Sequence, residues 1–73
     1  MDIKQQAQAV QQQIGRLVKL SRETNGWSQQ QLADKMQLPQ SRVARIEAGE
    51  FNFTVETLCR IANAFGRPLD IKF

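Results

Sequence analysis

No histidine and no tyrosine occur among the 73 residues, and there is a single cysteine. Imidazole-based acid–base catalysis, disulfide scaffolding and soft-ligand metal binding therefore lose the residues they need. The seven carboxylates are scattered, and the four glycines form no phosphate-cradling loop of known spacing. Nothing in this inventory is catalytic, and neither a metal nor a cofactor is implied. No apolar run reaches membrane length and no secretory leader pattern is present, so the sequence predicts a cytoplasmic protein without a membrane partner. Cys59 stands beside Leu58 and Ile61 in a helical pattern and reads as a small buried hydrophobe.

What is present is one small domain's worth of chain with a net charge of +3 and an isoelectric point near 9.6. Such a balance suits a polyanionic partner without requiring one. The distribution is more informative than the total: Lys35, Arg42 and Arg45 occur with no acidic residue between Lys35 and Ile46. The same region, WSQQQLADKMQLPQSRVARIEAG from Trp27 to Gly49, carries two short helical patterns with a brief turn between them. Ser28 can cap the first while Gln31 reaches back to it, and Leu32, Ala33 and Met36 form its apolar face. The second starts near Pro39, which needs no amide hydrogen at a first helical position, and buries Val43 and Ile46 before Gly49 stops it.

With Val43 and Ile46 inward, the step of about 100° per residue turns Ser41, Ala44, Arg45 and Ala48 outward, with Gln40 at the exposed end and Arg42 on the flank. This face is small, amide and guanidinium in character. Glutamine pairs bidentately with adenine and arginine with guanine, serine is adaptable, and alanine is small enough to meet a thymine methyl group. A solvated helix face is the competing explanation for the same residues.

The run SQQQLA, the turn, SRVARIEAG and then VETLCRIANAFG together resemble the phage repressor/Cro-like (Xre) helix-turn-helix family, over residues 14–66. The resemblance implies an all-α fold, a compact four- or five-helix bundle whose second and third helices form the helix-turn-helix. It implies double-stranded DNA as the partner. Ser28 and Gln29 would lie against phosphate, and Gln40, Ser41, Arg42, Ala44 and Arg45 would face base edges or nearby backbone. It also implies a partly buried structural ion pair between Arg22 and Glu47. In the loop after the third helix, Asn52 is either a phosphate contact or a residue serving only the local turn. The chain departs from the family at two positions, with Gln37 where a turn glycine is usual and Pro39 where a serine or threonine cap is usual. A fourth helix is expected from about Thr54 to Phe65, burying Val55, Leu58, Ile61, Ala62 and Phe65, with Gly66 ending it.

Two segments flank this core. Over residues 1–13, Ile3, Ala7 and Val10 continue through Ile14 and Leu17 at alternating gaps of four and three, the seam of a coiled coil, which predicts a long first helix from about residue 3 to 24. The extension could meet a second subunit, meet a toxin, cap its own domain or remain a glutamine-rich arm. Over residues 67–73, Leu69, Ile71 and Phe73 alternate with Asp70 and Lys72, the period of a half-buried strand. A lone strand needs a partner, so a short C-terminal β-strand paired across a two-fold axis is expected, unless the tail packs on its own domain. A terminal strand after the fourth helix is similar to the HipB-like antitoxins of type II toxin-antitoxin modules. Two functions are therefore expected: a homodimeric repressor on a pseudo-palindromic operator, or an antitoxin that binds a toxin protein and autoregulates its operon. An adaptor role without base reading is a weaker third.

Overall fold

Residues 2–73 are described by the computed structural model, and four helices account for all the regular structure among them. Helix α1 spans Ile3–Thr24, opened by the Asp2 carboxylate accepting the Lys4 amide at 2.9 Å. Helix α2 spans Gln29–Met36 behind a reciprocal capping box: Ser28 Oγ accepts the Gln31 amide at 3.1 Å while the Ser28 amide donates to Gln31 Oε1 at 2.8 Å. Helix α3 spans Gln40–Glu47, with Pro39 as an N-cap whose side chain makes no capping bond. Helix α4 spans Val55–Ala64, and Thr54 Oγ1 accepts the Thr57 amide.

All four helices end in the same way. The chain enters the left-handed region at residues 26, 37, 49 and 66, and the next amide donates to the carbonyl five residues back, as Leu38 does to Ala33 at 3.0 Å. Three of these positions are glycine; the fourth is Gln37, at φ 57°. A side chain there is held against the steric preference of L-residues at a cost of about 1 kcal/mol. Gln37→Gly should accordingly raise stability by no more than about 0.5 kcal/mol after the greater freedom of glycine in the unfolded chain is subtracted, measurable as a slightly higher urea midpoint.

The core is a cluster of Val18, Leu32, Ala33, Met36, Val43 and Ile46, all essentially closed to solvent, with Ile14, Trp27, Leu38, Phe51, Phe53, Ile61, Ala64 and Phe65 packed around it. It lies where α1, α2 and α3 converge. Gly15 is buried at the α1–α3 crossing, where a Cβ would lie 2.4 Å from the Ile46 carbonyl oxygen and 3.0 Å from that of Glu47. The absent side chain lets the two backbones meet. Trp27 stacks on Phe65 at 5.5 Å between centroids, tying the α1–α2 turn to the end of α4. Arg60 of α4 donates to the Met36 carbonyl at 3.0 Å and satisfies the C-terminus of α2.

Two expectations are corrected. The C-terminal strand is absent: residues 67–73 are irregular, so the bundle is all-α with four helices and no dimerisation strand. A strand needs a ladder partner, and no other strand exists among the described residues. The apolar alternation is used differently: Leu69 and Ile71 lie along a groove with Ile14, Leu17, Leu58 and Phe65, while Phe73 is fully exposed. In α4, Val55 and Cys59 are exposed, whereas Thr57 is buried. The helix is rotated so that Thr57, Ile61, Ala64 and Phe65 face inward, and burial of the Thr57 hydroxyl is tolerated because it lies 3.0 Å from the Thr54 hydroxyl.

Candidate nucleic-acid interface

Helix α3 is anchored by Val43 and Ile46, both with no exposed surface, and this fixes which residues face out. Gln40, Ser41, Arg42 and Arg45 are exposed, and Ala44 is half-buried. Arg45 is held only by a 3.5 Å contact from Nη2 to the Glu50 carbonyl, long enough to be surrendered to a better acceptor. The Arg42 guanidinium stands 5.9 Å from the centre of the Phe51 ring, which orients it along the flank. On α2, Lys35 lies 4.5 Å over the Trp27 ring. Arg42, Arg45 and Lys35 thus remain cations without a carboxylate partner among the described salt bridges.

A chain of polar contacts runs beneath this face. Glu47 accepts from Arg22 side-on, Nε at 2.7 Å and Nη2 at 3.0 Å, while Arg22 Nη1 donates to the Trp27 carbonyl at 2.8 Å. Both partners are nearly enclosed, with side chains 12% and 5% exposed. The hydrogen bond to Glu47 pushes the arginine pKa above its ordinary value, partly offset by burial, so Arg22 is charged at every working pH. Glu47 Oε1 also accepts from Gln29 Nε2 at 3.2 Å, and Gln29 Oε1 accepts from Gln40 Nε2 at 3.3 Å. The pairing connects the start of α2 to the start of α3, and it orients both amides.

The structure therefore brings Gln29, Gln40, Arg22 and Glu47 into one network, with Ser28 beside them at the cap of α2. Gln29 is half-buried and engaged inward. Asn52 is elsewhere: exposed, on the rim of an apolar groove formed by Val10, Ile14, Phe53 and Leu58. Sequence reasoning missed Gly15, Arg60 and the Gln29–Gln40 contact. Gly15 carried a readable signal, since a glycine inside a strong helix pattern costs about 1 kcal/mol and points to close packing. The other two join residues far apart in sequence and had none. Among the described residues there is no group of three metal-ligating side chains, and no helix is long and apolar enough to cross a membrane.

Comparison with known proteins bears on this arrangement. A helix-turn-helix family model matches residues 11–72. The competence pilus inhibition repressor of Acinetobacter baylyi is 38% identical over 52 residues, which cover 71% of this chain and 47% of that protein. The chain thus spans about half the length of this curated relative. No solved structure matches.

Proposed function

The chain belongs to the helix-turn-helix family, and from that premise we propose that it is a sequence-specific DNA-binding transcriptional repressor acting as a homodimer on a pseudo-palindromic operator. The observation that carries this is the division of α3: Val43 and Ile46 wholly buried, with Gln40, Ser41, Arg42 and Arg45 exposed on the other side. Such a helix is anchored firmly enough to be pushed into a major groove, and its outward groups match base edges. Gln40 donates one amide hydrogen to Gln29 and keeps its oxygen and second hydrogen for the groove, the acceptor and donor that adenine requires. Arg45 is the candidate for guanine, Ser28 and Arg42 for phosphate, and Ala44 for a methyl contact. Asn52, given its place on the apolar groove, would reach phosphate only at the edge of the interface. The relative's name, a repressor, supports the same reading. The antitoxin alternative drew part of its support from a terminal strand, and that strand is absent.

Selection from a random duplex pool at about 150 mM salt, where charge-driven binding is already weakened, tests the proposal. Inverted half-sites with centres about 10 bp apart should be enriched. Arg45→Ala should weaken the selected site by about 1 to 3 kcal/mol while leaving random DNA nearly unaffected. A folded protein that enriches nothing would remove base reading.

A further inference from the structure

Most apolar residues of α1 fall into two sets that meet at Ile14. Val18, with Gly15, faces the core and Ile14 packs at its edge, whereas Ile3, Ala7, Val10 and Leu17 line up with Ile14 as a seam further around the helix, turned to a groove that Phe53 and Leu58 help to line. Ile3 is 72% exposed, Val10 45% and Leu17 55%. The tail covers the groove only toward the C-terminal half of α1, through Leu69 and Ile71. Gaps of four and three along the seam are those by which one helix packs into another over several turns, and α1 is the one helix here long enough to use them.

We infer that the seam of α1 is the contact face for the same seam of a second copy of this chain, the two helices lying antiparallel with the two-fold axis at Val10. This rests on the homodimer proposed above and specifies how it forms. The flanks of the seam argue for self-pairing. Residues 5–15 carry no charge, and the positions beside the seam are glutamines, which both donate and accept and are therefore complementary to themselves. A charged flank would place like against like across a two-fold axis; an amide flank does not. Antiparallel packing pairs Ile3 with Leu17 and Ala7 with Ile14, and leaves Val10 opposite itself. In that register Gln6 meets Gln13 on one flank, while Asp2 and Lys4 both approach the partner end that carries Arg16, so that end meets one opposite and one like charge. Parallel packing would instead bring Arg16 against Arg16. The α3 helix meets α1 at Gly15, on a different side from the seam, so pairing through the seam does not compete with the α1–α3 contact.

Sedimentation equilibrium of the wild-type chain and of Val10→Glu is the test, with circular dichroism and Trp27 fluorescence confirming the fold. Wild type should have twice the monomer mass and Val10→Glu the monomer mass, with the helical spectrum unchanged because Val10 is outside the core. A dimer that persists in Val10→Glu overturns the inference. So does a wild type that is monomeric throughout; in that case enrichment of a single half-site from the DNA pool would still show base reading. In a Cys59→Ser background, Val10→Cys should oxidise to a covalent dimer and Leu17→Cys alone should not. Ready self-linkage of Leu17→Cys overturns the antiparallel register.

Discussion

Glu47→Ala is expected to cost the domain about 3 to 5 kcal/mol, because it strands the Arg22 guanidinium in a nearly enclosed site without its counter-charge. Arg22 retains the Trp27 carbonyl as an acceptor, which places the loss toward the lower bound. Small domains are stable by only about 5 kcal/mol or slightly more, so much of the variant should be unfolded well below the wild-type midpoint. Urea unfolding followed by Trp27 fluorescence measures this, since Trp27 is stacked on Phe65 in the folded state. Replacing both partners with apolar residues of similar size, as Arg22→Met with Glu47→Leu, should recover most of the lost stability. It should not recover DNA affinity to the same degree, because Glu47 also orients Gln29 and, through it, Gln40. A double variant no more stable than Glu47→Ala would show that the cost lies in packing and not in the unpaired charge.

Gly15→Ala should be the most damaging addition of a single methyl group. Alanine is the better helix former by about 1 kcal/mol, and on an isolated helix the substitution would stabilise. Here the new Cβ would meet two backbone carbonyls, at 2.4 Å and 3.0 Å, and backbone cannot rotate aside as a side chain does. Helices α1 and α3 must separate, which loosens the contacts of Val18 and Ile46 and outweighs the propensity gain. Overpacking of this kind costs about 3 kcal/mol, for a net loss of about 2. The displaced α3 should also bind its selected DNA site less tightly, even at temperatures where the variant is fully folded. A variant as stable as wild type in urea would mean that the crossing is looser than the geometry requires.

The residues differ in how far their sequence neighbours decide their roles. The capping box of Ser28 and Gln31, the burial of Val43 and Ile46 and the extent of α1 were legible because each depends on groups three or four positions apart along one helix. The departure at Gln37 was named from the family resemblance, which places a glycine there, and the left-handed backbone at that helix end is the physical reason for the family's preference. Arg22 and Glu47, 25 positions apart, were linked by family resemblance and not by spacing.

Tertiary structure alone decided the remainder. Leu69, Ile71 and Phe73 have strand periodicity, yet a strand exists only where a second one supplies hydrogen bonds, and the tail instead follows a groove between helices. The rotation of α4 that exposes Val55 and Cys59 and buries Thr57 depends on which side α2 occupies. Periodicity is a property of one segment and survives being read in isolation. Pairing, close approach and the choice between two apolar faces are properties of two segments at once, and their energies arise only when the chain has brought the segments together.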